Sequence, residues 1–92
     1  MKVIDIDLKN VTTTRGFHRV VKKGLQAPDY YGYNLDALYD VLTTINEETQ
    51  IVFHNFKVIK ANLPDLADTL EGLLLDATEE NDNLEIITID GE

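Results

Sequence analysis

Hydrophobic and polar residues alternate along the first stretch of the chain, residues 3–8. Ile4, Ile6 and Leu8 fall on one side of an extended backbone, and Asp5 and Asp7 fall on the other. This period of two predicts a half-buried β-strand. Short apolar runs at 51–53 and 84–89 predict two further strands.

Between these strands the apolar residues recur at helical spacing. Helices are predicted at about 13–25, 35–45 and 64–80, and a short helical or turn segment at 56–60. Pro64 suits a first helical position, and Gly24 suits a helix end. Gly72 is expected to weaken the last helix by up to about 1 kcal/mol relative to alanine, unless a neighbour packs closely there.

The order of these elements is β-α-α-β-α-α-β, and the length of 92 residues fits a single domain over 1–92. Strands separated by helices usually pair in parallel. The sequence therefore predicts an α/β fold in which about four helices cover a small three-stranded parallel sheet.

Charge is distributed unevenly along the chain. The net charge is −9, to which residues 1–28 contribute +4 and residues 29–92 contribute −13. We expect such an acidic chain to bind a basic partner and no nucleic acid, because binding phosphates needs cations. The alternative is that the acidity only aids solubility.

The chain has no cysteine, no signal-peptide pattern at its start, and no apolar run near the roughly 18 residues that a membrane span needs. We expect a soluble, cytoplasmic protein with no membrane partner.

The second predicted helix, residues 35–45, has two coherent faces. Its apolar face consists of Leu35, Leu38, Val41, Leu42 and Ile45. Its opposite face carries Asp36, Asp40 and Thr43, with Tyr39 at its edge. These four residues and Thr44 are the candidates on this helix for contact with a partner. Asp36 suits the first helical turn, but Asp36 and Asp40 form a like-charge i, i+4 pair that costs a few tenths of a kcal/mol. This face is either a solvated surface or a binding surface.

The loop before this helix is crowded with tyrosines. Tyr30, Tyr31 and Tyr33 surround Gly32, and three tyrosines so close together rarely all pack into a core. We expect one of them to pack on the core. Exposed aromatic rings beside carboxylates are typical of a recognition surface. Gly32 is expected to permit a special backbone conformation or a close approach, and Asn34 is a good helix N-cap.

Residues 27–40, APDYYGYNLDALYD, closely resemble the barstar family of inhibitors of barnase-like ribonucleases. The order of the predicted elements is also similar to that family, and the likeness extends weakly over nearly all 92 residues. The resemblance implies a barstar-like fold. It also implies a stoichiometric inhibitor of a basic ribonuclease or a ribonuclease-like toxin domain. We expect a monomer before complex formation.

The resemblance implies roles for particular residues. Tyr30 corresponds to the family's key tyrosine, and Asp36 and Asp40 correspond to its two interface aspartates. Asp40 would then take the place of an RNA phosphate. Gly32 and Asn34 match the family's loop.

Other positions depart from the family's pattern. Tyr39 replaces a tryptophan and keeps an aromatic ring, and Asp76 aligns with a glutamate of the last helix. Tyr33 stands where the family has an acid, and Ile45 stands where it has a second tryptophan. These departures bear on the identity of the target more than on the mode of binding.

Two other classes of function are weighed against inhibition. An enzyme would need Asp36 and Asp40 to converge on a substrate or to gain further oxygen ligands for a metal, which one exposed helix face does not supply. His18 is expected at the surface and His54 in a structural contact, so we expect no catalytic residue, metal or cofactor. The other alternative is an immunity protein or acidic interaction module whose target is not a barnase-like ribonuclease.

Overall fold

The computed structural model describes residues 1–91 and contains the seven elements in the predicted order. The strands are β1 (Lys2–Asp7), β2 (Thr49–His54) and β3 (Leu84–Thr88). The helices are α1 (Thr14–Leu25), α2 (Leu35–Thr43), α3 (Phe56–Asn62) and α4 (Pro64–Glu80).

The three strands form one parallel sheet in the order β1-β2-β3. Ile4 lies beside Ile51, and Ile51 lies beside Ile86. Ile51 belongs to the apolar core, and the half-buried Ile4 and Ile86 pack against it. On this side of the sheet α1 packs against β1 and α4 packs against β3. The α/β fold predicted from the alternation of strands and helices is confirmed.

The other face of the sheet carries polar contacts between neighbouring strands. Gln50 Nε2 donates a hydrogen bond to Glu85 Oε1 at 2.6 Å. His54 Nε2 lies 2.8 Å from Asp5 Oδ1. The structural contact expected for His54 is therefore confirmed.

Helix α1 begins after Thr13, whose hydroxyl oxygen accepts a hydrogen bond from the Gly16 N–H at 2.9 Å. The helix continues past Gly24 and ends with Gln26 in the left-handed region, at φ 52°. The helix therefore ends at Leu25 with Gly24 near its end, as predicted, and Gln26 rather than a glycine takes the left-handed capping position. A Cβ at Gly24 would lie 2.9 Å from Ile6 Cγ1, so the missing side chain lets α1 approach β1 closely.

Helix α2 is held at both ends by asparagine side chains. Asn34 Oδ1 accepts a hydrogen bond from the Ala37 N–H at 2.8 Å, as predicted for the N-cap. The helix ends two residues before the predicted Ile45. There the buried Asn81 donates from Nδ2 to the carbonyl oxygens of Leu42 at 2.9 Å and Ile45 at 3.0 Å. The end of α2 is thus joined to the end of α4.

Helix α4 begins with Pro64 in its first turn, as predicted, and ends at Glu80. Gly72 is exposed in the middle of this helix. A Cβ built there meets no described neighbour within 4 Å. No close packing therefore compensates for the low helix propensity of this glycine.

Candidate functional site

The apolar face of α2 fixes the direction in which its acidic residues point. Leu38 and Leu42 are completely buried in the core, so helical geometry turns Asp36 and Asp40 outward. Both aspartates are exposed. Within residues 1–91, neither carboxylate forms an ion pair. The predicted acidic face is therefore open and carries two uncompensated charges.

Thr43 and Thr44 continue this face toward the end of α2. The Thr43 hydroxyl donates to the Tyr39 carbonyl oxygen at 2.9 Å, and the Thr44 hydroxyl donates to the Asp40 carbonyl oxygen at 2.9 Å. Thr44 is exposed and Thr43 is half-buried. While both hydroxyls donate within the helix, each keeps acceptor lone pairs for a partner.

The three tyrosines of the loop differ sharply in exposure. Tyr30 is 87% exposed, whereas Tyr31 is 6% exposed and belongs to the core. The expectation that one of the three packs on the core is therefore met by Tyr31, and the contact of Tyr31 with a partner stays a prediction. Tyr33 is half-buried, and the guanidinium carbon of Arg15 lies 5.1 Å from its ring centroid.

The prediction that His18 lies at the surface is wrong. This residue is 1% exposed, and its Nδ1 lies 2.7 Å from the Tyr31 hydroxyl oxygen. Its ring packs edge-on against Phe17, with centroids 5.1 Å apart. Helical spacing could have revealed this position, because His18 lies between Phe17 and Val21 on the buried face of α1.

The backbone of the loop is set by two neighbouring residues. The residue in the left-handed region is Tyr33, at φ 51°, and not Gly32. A Cβ at Gly32 would lie 3.1 Å from Asn34 Nδ2, which donates to the Gly32 carbonyl oxygen at 3.1 Å. Gly32 therefore serves close approach, the second of its two expected roles. Asn34 joins the loop to α2, because its Nδ2 donates to the Gly32 carbonyl oxygen and its Oδ1 accepts from the Ala37 N–H.

The loop and α2 together line a concavity of about 200 Å³. Asp40 supplies the carboxylate of this lining, and the exposed Tyr30 forms part of its wall. The other lining residues are Pro28, Tyr31, Gly32, Ala37, Val41 and Thr44. The Asp40 side chain is thus accessible to solvent, and it also forms part of the lining of a concavity. A cationic group that entered this concavity would meet a carboxylate in surroundings with few other charges.

Tyr39 lies where α2 meets the end of α4. Burial from water raises the pKa of its hydroxyl, and the nearby charges of Glu80, Asp76 and Glu79 raise this pKa further. All three of these acidic residues are exposed. The structure therefore brings the predicted Asp76 close to Tyr39. It also adds Glu79 and Glu80, which sequence reasoning missed although they follow Asp76 at helical spacing.

The two histidines lie apart from the acidic face of α2. His18 contacts Tyr31 and His54 contacts Asp5, so neither histidine pairs with the carboxylates of α2. Across residues 1–91 no group of three or more acidic or histidine side chains is placed to hold a metal ion. No helix in the same range is long and apolar enough to cross a membrane. The exposed α2 carboxylates are suited to contact cations.

The fold and this surface define a class, namely small α/β domains that present an acidic helix beside an aromatic loop. A family described as Barstar (barnase inhibitor) matches residues 1–89, and the chain belongs to this family. A similar protein of Bacillus subtilis (strain 168) is named "Putative ribonuclease inhibitor YrdF". It is 36% identical over 89 residues, which cover 95% of this chain and 98% of that protein. The resemblance noted at residues 27–40 is confirmed.

Proposed function

We propose that this chain is a stoichiometric inhibitor of a basic, barnase-like ribonuclease, with no catalytic activity of its own. The observation that carries the proposal is the exposed Asp40, which has no ion-pair partner among residues 1–91, in the concavity beside Tyr30. Membership of the barstar family supports a ribonuclease as the class of partner. The name of the Bacillus subtilis relative supports the same class.

Asp40 is the proposed mimic of an RNA phosphate. Ribonuclease active sites hold cationic side chains that bind phosphate, and arginine binds carboxylates and phosphates with the same bidentate geometry. Asp36 adds a second carboxylate one helical turn away. Since Leu38 and Leu42 fix α2 on the core, little backbone freedom of this helix remains to be lost on binding.

The aromatic residues around Asp40 supply apolar contact area. Tyr30 exposes most of its ring, and Tyr39 lies at the other edge of the acidic face. A tyrosine ring adds rigid contact area at low entropic cost, and the water it excludes strengthens neighbouring charge pairs. Gly32 and Asn34 hold the loop that presents Tyr30. Asp76 extends the surface from α4 toward Tyr39.

The distribution of charge favours rapid association with a basic enzyme. Residues 29–92 carry a net charge of −13, and both the acidic helix and the acidic end of α4 lie in this part of the chain. Long-range attraction of this kind raises association rates and weakens as salt is added. We infer that the inhibitor acts in the cytoplasm of the producing cell, which it protects from a ribonuclease.

A second candidate function is an immunity protein or interaction module with a different target. The observation that favours it is that two residues at the edge of the surface differ from the family's pattern. Tyr33 replaces a family acid and packs beside Arg15, and Ile45 replaces a family tryptophan and packs on the core. A partner that depends on that acid would lose a contact here.

A titration of ribonuclease activity tests the proposal. Purified barnase is the probe, and RNA hydrolysis is followed as the chain is added. We expect activity to fall linearly and to vanish near one equivalent. Binding without loss of activity would favour the interaction module.

Two variants test whether inhibition depends on the Asp40 carboxylate rather than on net charge. Asp40→Ala is expected to weaken inhibition. Asp68→Ala is the matched control, since Asp68 is exposed on α4 about 12 Å along the helix from Asp76 and its loss changes the net charge equally. If barnase is not inhibited, capture from extract and culture medium with wild-type and Asp40→Ala baits follows. A nuclease retained only by wild type would identify another target.

A further inference from the structure

A histidine lies in the core directly behind the tyrosine loop. His18 is 1% exposed, and its Nδ1 lies 2.7 Å from the Tyr31 hydroxyl oxygen. The two ring centroids are 5.7 Å apart, and the Tyr33 centroid lies 6.4 Å from that of His18. Helix α1 therefore reaches the loop through this buried hydrogen bond and the rings around it.

Tyr31 is the point at which the loop is fixed to the body of the protein. Its backbone N–H donates to the Pro28 carbonyl oxygen at 2.9 Å, and its ring lies 5.6 Å from that of Tyr33. Its neighbours Tyr30 and Gly32 are exposed and line the concavity that contains Asp40. The position of the exposed loop residues thus depends on the buried residue between them.

The charged surroundings of His18 offer little compensation for a positive imidazolium. Burial from water lowers the pKa of His18 below 6.5 and raises the pKa of Tyr31 to about 12. Charged groups reach this cluster from α1 and from the loop. They are Arg15 and Lys22, both over the Tyr33 ring, and Asp29, a fully exposed carboxylate 3.9 Å from Lys22. Two of these three are cations, and the anion is already paired with one of them.

We propose that His18 is a positioning residue for the binding surface: its neutral imidazole holds the Tyr31 hydroxyl and fixes the tyrosine loop, and its protonation releases the loop. The role in binding rests on the proposed function, whereas the effect on the loop concerns the free protein. At neutral pH the imidazole Nδ1 either accepts a hydrogen bond from the Tyr31 hydroxyl or donates its N–H to the hydroxyl oxygen, depending on the tautomer. Protonation leaves Nδ1 able only to donate to the Tyr31 hydroxyl oxygen, and it places a charge on a side chain that is 1% exposed, which favours conformations that expose His18.

The lowered pKa of His18 sets the direction in which the stability of the fold changes with pH. The neutral imidazole stabilises the fold fully above pH 6.5, the ordinary value of the unfolded chain. This contribution is lost as pH falls from 6.5 through the lower pKa of the folded protein. The loop is therefore ordered at about pH 7.5 and released at acid pH once the folded-state imidazole titrates.

Nitrogen-15 relaxation of the free protein tests the effect on the loop, and it requires no partner. The Gly32 amide reports the loop, and the Ala67 amide in α4 is the control. For wild type we expect a Gly32 order parameter of about 0.85 at neutral pH and below about 0.6 when the His18 ring resonance shows protonation. Tyr31→Phe keeps the ring but loses the hydroxyl, so the Gly32 order parameter should be low at both pH values. His18→Gln keeps a hydrogen-bonding amide that does not titrate, so the parameter should stay high at both.

Affinity for barnase tests the consequence for binding. Tyr31→Phe is expected to weaken binding at neutral pH by about five- to tenfold, the factor that one net hydrogen bond represents. His18→Gln should bind as wild type does. A residue that affects only global stability would leave the affinity of the folded protein unchanged.

The outcomes separate this inference from the proposed function. A Gly32 order parameter that stays the same in wild type while the His18 ring titrates would overturn the positioning role, as would an ordered loop in Tyr31→Phe. Wild-type protein that binds neither barnase nor any nuclease captured from extract or culture medium would instead contradict the proposed function. In that case the relaxation data would still decide whether His18 positions the loop.

Discussion

Replacing Asp40 by alanine is expected to change folding and binding in opposite directions. Asp40 is exposed and lies in the second half of the short helix α2. Alanine has the higher helix propensity. The substitution also removes a like-charge contact with Asp36 and a negative charge near the negative end of the helix. Together these effects should raise the free energy of unfolding by about 0.5–1 kcal/mol.

The same substitution should weaken binding to barnase by more than about 2 kcal/mol, or roughly 30-fold in dissociation constant. The reason is that the proposed phosphate mimic is lost and the enzyme's cations are left without a partner. The barstar–barnase complex is itself a reference case for such interface residues, and 2 kcal/mol is the general threshold for them, not a value for this chain.

Urea unfolding and inhibition titrations measure the two effects on the same samples. Asp40→Asn keeps the shape of the side chain and removes its charge, so it should lose most of the affinity as well. Asp68→Ala should bind as wild type does. A dissociation constant within about threefold of wild type for Asp40→Ala would refute the phosphate mimic. A loss of more than about 1 kcal/mol in unfolding free energy would show that Asp40 has a structural role instead.

Three further outcomes follow from the structure. Gly72→Ala should stabilise the protein by up to about 1 kcal/mol in urea unfolding, because a Cβ there meets no described neighbour; destabilisation would contradict this. Asn81→Ala should destabilise it by about 1–3 kcal/mol in the same assay, because the carbonyl oxygens of Leu42 and Ile45 lose a buried donor; an unchanged midpoint would count against that cap. The association rate with barnase in stopped-flow fluorescence should fall by about tenfold between low and physiological salt, and a rate that salt does not change would exclude electrostatic steering.

The order of the elements and the acidic face of α2 could be predicted because local pattern and tertiary packing agree there. The alternation at 3–8 and the helical spacing of Leu38 and Leu42 each define one buried side. The charged residues must then occupy the other side. The open positions of Asp36 and Asp40 follow from this geometry.

The wrong predictions and the missed residues involve contacts between distant segments of the chain. Helical spacing places His18 on the buried face of α1, but the group that satisfies its ring there is the Tyr31 hydroxyl, thirteen residues away. The end of α2 is set in part by Asn81, which lies 39 residues beyond Leu42. The approach of Glu79 and Glu80 to Tyr39 depends on how α2 and α4 pack. Periodicity within one element indicates the face on which a residue lies, but it does not identify the residue of another element that it meets.

Competition with a mononucleotide tests the central claim most directly, namely that Asp40 and its neighbours occupy the phosphate site of a ribonuclease. The affinity of the chain for barnase is measured as a 3′-mononucleotide is added to fill the enzyme's active site. The account predicts that the apparent dissociation constant rises in proportion to nucleotide concentration, as for two ligands of one site. An affinity that stays constant while the nucleotide saturates the enzyme would contradict it.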